Sequence, residues 1–304
     1  MNDERKKIYR LAEKTKKEWP RPLALALEKY WQKTLKDDES GLISGFVLAI
    51  LPLRPSAGQK DAAMHLSADS LYRWTAANLQ DDLIDSRKIK KINLPLAKAC
   101  WESAEALSAT VPLSPLNRKL LQQISLKENG AIFSEIKRPK TIPPGILAPS
   151  AKSLFLLISP VHLSMRLNWE KSETQKLFKA GCYLLAAKQL ADDLYDYRED
   201  WKNGRRNFAH RGLSRLPHKN ELPSYYKEQA ENILQLCACC RRITKTVSPL
   251  SRKNCFESPL KILEINCRRE LAKINRREEP NHIRTKSQTH LQPPAIIAPV
   301  RNRR

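Results

Sequence analysis

The chain has 304 residues, of which 41% are hydrophobic, so it could form one large domain or two small ones with a substantial core. Its formal net charge of +23 favours an anionic partner: a nucleic acid, an anionic membrane surface or a polyphosphate substrate. No apolar run reaches about 18 residues and no apolar segment follows the charged first residues, so we expect neither a membrane-spanning helix nor a signal peptide, and a cytoplasmic location.

Apolar runs rich in Leu and Ala dominate the chain, with only 8 glycines and few segments that alternate with period two, which predicts an all-α protein. Prolines and glycines mark the boundaries, including a loop predicted at 137–145 and a helix end at Pro160. The predicted helices cover 5–36 with a break at Pro20 and Pro22, then 61–87, 96–109, 115–126, 148–158, 170–202, 222–246 and 258–277.

Two acidic clusters stand out in this basic chain, each with the pattern DDxxD. The first is Asp81, Asp82 and Asp85; the second is Asp192, Asp193 and Asp196, extended by Asp200. Side chains four residues apart share one face of a helix. Carboxylates that close together repel one another unless a cation lies between them, and a hard cation such as Mg²⁺ takes oxygen ligands. We therefore predict one metal site between two facing helices.

A single DDxxD on a helix is more often a solvated acidic face. Here both clusters are flanked by apolar residues, such as Ala76 and Leu79 before the first and Leu184 to Ala187 before the second. Helices that are apolar on most sides are buried, and an unpaired buried carboxylate is costly. The flanks therefore favour a functional site over surface decoration.

The residues around the second cluster resemble a known family. Lys152-Ser153, followed by Lys188-Gln189 and the second DDxxD, is similar to the second half of the trans-isoprenyl diphosphate synthases, and Gln80 to Ser86 is similar to their first aspartate-rich motif. The resemblance implies an isoprenoid-synthase-like helical bundle around a central apolar cavity. It also implies Mg²⁺ ions that hold an allylic prenyl diphosphate at the mouth of that cavity.

A second branch of the same superfamily fits almost as well. The pair Asp196 and Asp200, followed by Gly204-Arg205, resembles the squalene and phytoene synthases. The chain-elongating branch also has a Gly-Gly-Lys-x-Arg-Pro element that grips the non-allylic diphosphate. Only Leu53-Arg54-Pro55 is similar to that element, without its glycines and lysine. Elongation and head-to-head condensation both stay open.

The resemblance assigns roles to individual residues. Asp81, Asp82 and Asp85 would bind Mg²⁺ from one side, and Asp192, Asp193, Asp196 and Asp200 from the other. Lys152 and Gln189 are the predicted catalytic residues. The predicted diphosphate-binding residues are Lys188, Arg205, Arg206 and Arg54. Aromatic residues that could line the cavity are Phe46, Tyr72, Trp74, Phe155 and Tyr183.

We predict a catalytic domain over 1–250, a peripheral helix over 251–278 and a basic disordered tail over 279–304. The basic ends suggest peripheral attachment to an anionic membrane, and a homodimer stays an open alternative. Cys237, Cys239 and Cys240 lack the spacing of a zinc site, which favours reduced thiols. Two other functions remain: a basic helical nucleic-acid-binding protein, the less favoured partner class, and a member of the family that keeps the fold without activity.

Overall fold

The computed structural model describes residues 3–34, 43, 45–85, 91–137, 142–205, 207–218, 221–247 and 256–278. Within these ranges the side chains of 3–5, 33–34, 84–85, 135–136, 270 and 273–278 lie outside the description. The described chain folds into helices and contains no strand. The all-α class predicted from the sequence is confirmed.

Ten α-helices follow one another, and short 3₁₀ turns lie at Lys16–Glu18, Ala148–Ser153 and Phe208–His210 in the described chain. The helices are α1 (Asp3–Thr15), α2 (Arg21–Thr34), α3 (Phe46–Ala49), α4 (Ala57–Asp85), α5 (Asn93–Ala109), α6 (Pro115–Lys137), α7 (Phe155–Arg166), α8 (Lys171–Asn203), α9 (Leu222–Thr244) and α10 (Glu257–Glu278).

Helix α4 packs against α5, α7, α1 and α3, and α8 packs against α9 and α7. Helix α4 begins with a capping box: the Ser56 hydroxyl accepts a hydrogen bond from the Gln59 amide at 3.2 Å, and the Gln59 side chain accepts one from the Ser56 amide at 2.9 Å. Its 29 residues reach, at 1.5 Å per residue, roughly 40 Å. The first acidic cluster therefore lies roughly 36 Å along the helix from its first residue.

Helix α7 differs from its prediction. Every residue from Phe155 to Met165 is buried, and Pro160 lies inside the helix instead of ending it. A proline in a helix interior removes one hydrogen bond and costs about 3 kcal/mol. Burial of this mostly apolar helix offsets that cost, so tertiary packing prevails over the local signal.

Helix α8 touches α7 closely at Gly181. A Cβ atom added there would lie 2.4 Å from Cδ2 of Leu157, so only glycine allows this approach without displacing the leucine. The absence of a side chain at Gly181 therefore lets α8 pack closely against the buried helix α7.

The last described helix, α10, packs on α9 and also touches α8. Just before it, Phe256 is fully buried and meets Phe46 edge to face at 4.9 Å between ring centres. Residues 279–304, the predicted tail, lie outside the described residues. None of the described helices is long and apolar enough to cross a membrane.

Candidate active site

One residue from each acidic cluster lines a single cavity of about 220 Å³. Asp81 comes from the end of α4, and Asp192 lies about two thirds of the way along α8. Lys152, Lys188 and Gln189, three more residues predicted from the sequence, line the same cavity. Its other walls are Trp74, Ala77, Asn78, Gln80, Ile132, Ser153, Phe155, Leu156 and Leu185.

Lys188 and Asp192 are paired across one turn of α8. The Lys188 ammonium donates a hydrogen bond to Oδ2 of Asp192 at 2.6 Å, and about half of each side chain is exposed. Exposed ion pairs contribute only about 0.2–1 kcal/mol. Lys188 and Asp192 can therefore separate, so that each binds a ligand instead, at a small cost in free energy.

Asp193 points away from the solvent. Its side chain is 6% exposed and accepts two hydrogen bonds of 2.6 Å, from Nε2 of Gln189 and from the backbone amide of Phe208. Burial raises the pKa of Asp193 to about 6, while the two hydrogen bonds and the charge of Lys152 act in the opposite direction. Both oxygens are thus engaged inside the protein, and Gln189 is held in place by this carboxylate.

Asp196 and Asp200 continue the acidic face of α8 from Asp192. Partial burial raises the pKa of Asp196, and the negative charges of Asp200, Glu199 and Asp192 raise it further. Asp200 accepts a hydrogen bond of 2.9 Å from the Asn207 side chain. Like charges crowded in this way disfavour the ionised form of Asp196.

After the end of α8, the chain turns back toward the second acidic cluster. Gly204 adopts the left-handed conformation (φ 65°), which commonly follows the last residue of a helix and suits glycine. The following amide, that of Arg205, bonds to the Asp200 carbonyl at 2.9 Å, and the Arg205 guanidinium lies 4.0 Å from the Asp200 carboxylate. The glycine thereby places Arg205 beside the acidic face.

Asn207 is a site residue that the sequence did not reveal. It is 1% exposed, and its side-chain amide donates to the Asp193 carbonyl at 2.6 Å as well as to Asp200. Its oxygen accepts from the amide of Ala209 at 2.9 Å. No spacing rule connects an asparagine with a cluster fourteen residues earlier, because the connection depends on the turn at Gly204.

Lys152 sits in the 3₁₀ turn Ala148–Ser153, which packs against α8 and α6. It lines the main cavity and also a second one of about 240 Å³, whose other walls are Ala131, Ser134, Pro143, Ala148, Ala151 and Phe208. Its half-buried side chain thus stands between the two cavities. Arg211 holds the loop beside the second cavity through the carbonyls of Pro143 and Gly145.

The remaining predicted residues lie elsewhere. Asp82 is exposed next to Asp81, and neither the side chain of Asp85 nor Arg206 belongs to the described part of the molecule. Arg54 is exposed just before α4, so roughly 36 Å of helix separates it from Asp81. The structure does not bring Arg54 to this cavity.

Of the aromatic residues predicted to line the cavity, some do so and the others pack in the core. Trp74 and Phe155 line the cavity. Phe46, Tyr72 and Tyr183 pack in the core, and the Tyr72 hydroxyl donates to the Ala12 carbonyl at 2.7 Å. Among the described side chains, no group of three or more His, Cys, Asp or Glu is already gathered closely enough to hold a metal ion.

The fold is shared with solved structures at low sequence identity. Heptaprenyl diphosphate synthase from Staphylococcus aureus is 16% identical, with a TM-score of 0.57 over 90% of this chain and 98% of the other. Decaprenyl diphosphate synthase from Rhodobacter capsulatus is 13% identical, with a TM-score of 0.58 over 90% and 96%. Geranylgeranyl pyrophosphate synthetase from Pyrococcus horikoshii Ot3 is 12% identical, with a TM-score of 0.55 over 88% and 95%.

By sequence, no protein-family model and no curated protein matches the chain. The structural likeness covers nearly the whole of each prenyl diphosphate synthase. The chain therefore has the helical fold of the class I isoprenoid synthases, as the two aspartate-rich motifs predicted.

Proposed function

We propose that the protein is a Mg²⁺-dependent prenyltransferase that ionises an allylic prenyl diphosphate and transfers the prenyl group. The observation that carries this proposal is the shared cavity: Asp81 from α4 and Asp192 from α8 line it together with Lys152, Lys188 and Gln189. Carboxylates on facing helices beside two lysines suit a ligand that combines divalent cations with a diphosphate.

The donor set fits Mg²⁺. Asp81, Asp192, Asp196 and Asp200 are the ligands that we propose, because the last three repel one another along one face of α8. We give Asp193 and Gln189 a positioning role, because each already binds the other within α8. When bound, Mg²⁺ would neutralise the charge that develops on the departing diphosphate.

The basic residues would bind the diphosphate directly. Lys188 would turn from Asp192 to a diphosphate oxygen once a cation takes over that carboxylate, and Lys152 would approach from the opposite wall. Trp74, Phe155 and Leu185 would surround the prenyl chain and keep water from the carbocation. The aromatic faces of Trp74 and Phe155 favour a positive charge.

Elongation and head-to-head condensation remain two versions of the proposal. Arg54, the candidate for the second diphosphate in elongation, lies at the far end of α4. Incubation with Mg²⁺ and C10, C15 or C20 allylic diphosphates, with and without isopentenyl diphosphate, separates the two by product mass. Cytoplasmic location, membrane attachment through the basic ends and homodimer formation stay predictions.

The proposal predicts that Asp81→Ala and Asp192→Ala each lower Mg²⁺-dependent diphosphate release at least 100-fold, because each removes a proposed metal ligand. Release is measured from geranyl and farnesyl diphosphate, and circular dichroism should show unchanged helical content. Asp61→Ala and Glu231→Ala, which remove exposed carboxylates on α4 and α9, are the matched controls and should retain full release. Full activity of both site variants would contradict the proposal.

A further inference from the structure

The second cavity, of about 240 Å³, has no part in the proposed function, although it is as large as the main one. Its walls come from α6, from the loop and 3₁₀ turn that precede α7, and from the residues that follow α8. Among the described residues that line it, five are apolar: Ala131, Pro143, Ala148, Ala151 and Phe208. Three of these are alanines, whose short side chains leave the space between the elements open. Such a space suits an apolar ligand.

Positive charge borders this apolar space. Lys152 lines it, and no Asp or Glu is among the described residues of its walls. The Arg211 guanidinium lies 5.8 Å from the centre of the Phe208 ring and donates to the carbonyls of Pro143 and Gly145, at 2.9 and 3.2 Å. Two cations beside walls without a described acid favour a ligand that carries negative charge.

Two residues connect the second cavity with the main one. Lys152 lines both, so a ligand that pairs with its ammonium in one cavity withdraws that charge from the other. The second connection is Phe208, whose backbone amide donates a hydrogen bond of 2.6 Å to Asp193. Asp193 also accepts one of 2.6 Å from Gln189, which lines the main cavity. A ligand that displaces Phe208 would therefore also affect the position of Gln189.

We infer that the second cavity binds a short apolar chain with one singly charged anionic head group, that Lys152 pairs with this head group, and that the bound ligand weakens diphosphate binding in the main cavity. The effect on diphosphate binding rests on the proposed function, whereas the binding site itself does not. Burial of hydrocarbon among the apolar walls contributes about 25 cal/mol per Å². A single charge fits because Lys152 is the cation among the described walls, and a second negative charge would lie unpaired among apolar groups.

Binding is measured by calorimetry on the full chain without Mg²⁺. The probes are geranate and decanoate, two acids of equal carbon number with an isoprenoid and a fatty acyl chain, and the tighter of the two identifies the kind of chain that the site takes. Geraniol, which lacks the charge, should bind about 10-fold more weakly than geranate because it cannot form the ion pair. Lys152→Met should remove this difference. A wild type that binds neither acid, or that binds geranate no more tightly than geraniol, would overturn the inference.

Substitutions that fill one cavity at a time locate the site. Ala148→Leu and Ala131→Leu place larger side chains in the second cavity, and each should lower the affinity for geranate at least about 10-fold. Ala77→Leu, which places the same side chain in the main cavity, should leave that affinity unchanged. Ala26→Leu, at a half-buried alanine of α2 that lines neither cavity, is the matched control, and thermal melting checks that each variant is folded. Geranate binding that survives both substitutions in the second cavity contradicts the inference.

The effect on the main cavity is measured with geranyl thiolodiphosphate and Mg²⁺. Saturating geranate should raise the dissociation constant of this analogue about 10-fold in the wild type, within the roughly 5–150-fold range of allosteric coupling. In Ala148→Leu, geranate should leave that constant unchanged. A wild-type constant that geranate does not change overturns the regulatory effect. If the analogue does not bind even without geranate, the proposed function is contradicted, whereas loss of geranate binding in Ala148→Leu still supports the second site.

Discussion

Asp193 and Asn207 show how much of a site can depend on single residues that do not face the ligand. Asp193 lies within the DDxxD pattern, yet its carboxylate turns inward to Gln189 and the Phe208 amide. Asn207 lies outside any motif and ties the Asp193 carbonyl to the Asp200 carboxylate. Residues just after the end of α8 thus hold two aspartates of the second cluster in place by hydrogen bonds.

Asn207→Ala should lower metal affinity more than it lowers the turnover of metal-saturated protein. The Mg²⁺ concentration for half-maximal diphosphate release should rise about 10-fold, because groups that orient metal ligands typically contribute 10–100-fold. Asn129→Ala, at an exposed asparagine of α6, serves as the control and should leave that concentration unchanged.

Asn207→Asp refines this test, since it keeps an oxygen for the Ala209 amide but loses the donor to Asp200. It should raise the Mg²⁺ requirement as Asn207→Ala does. A Mg²⁺ requirement equal to that of the wild type in both variants would show that Asn207 only supports the fold.

Much of the site followed from the sequence because helical spacing is a local property. Asp81 and Asp192 were predicted from the spacing of the motifs, and Lys152, Lys188 and Gln189 from the resemblance to a family; all five line the cavity. Asn207 was not predicted, since it belongs to no pattern. Its contacts depend on how the chain turns after α8, and a single sequence does not encode that turn at any fixed separation.

Among the helices, the two acidic ones were predicted within a few residues at each end, and α6 and α7 were not. Helix α6 extends eleven residues past the predicted end, to Lys137, and contains Gly130. Helix α7 continues through Pro160. Both residues weaken a helix in isolation. The burial of α7 outweighs the effect of Pro160, whereas Gly130 is exposed and α6 continues through it without such cover.

Gly181 and Gly130 allow helix packing to be tested at one crowded position and one open position. Gly181→Val should destabilise the fold by about 1–3 kcal/mol, because its side chain would collide with Leu157 between α7 and α8. Gly130→Ala should stabilise it by about 0.5–1 kcal/mol, because nothing lies within 4 Å of the new Cβ atom and alanine favours the helix. Urea unfolding of both variants measures the two values, and equal effects would refute the close contact.

At the scale of the whole molecule, the charge of +23 opposes the compact fold. Raising the ionic strength from about 0.01 M to 0.15 M shortens the screening length from about 30 Å to about 8 Å. The melting temperature should rise, by about 2–4 °C for each kcal/mol of relieved repulsion. Sucrose at equal osmolarity is the control for general solute effects, and a melting temperature that falls with salt would contradict this account.

The positions of the acidic residues along α4 and α8 have an electrostatic consequence. A helix carries partial negative charge at its carboxyl end, which normally disfavours acidic side chains there. Here Asp81 and Asp82 occupy the last turns of α4, and Asp196 and Asp200 occupy the last turns of α8. On each helix, the partial charge of the backbone and the charge of these carboxylates therefore have the same sign. Under the proposed function, this negative charge would favour the binding of divalent cations by a protein whose net charge is +23.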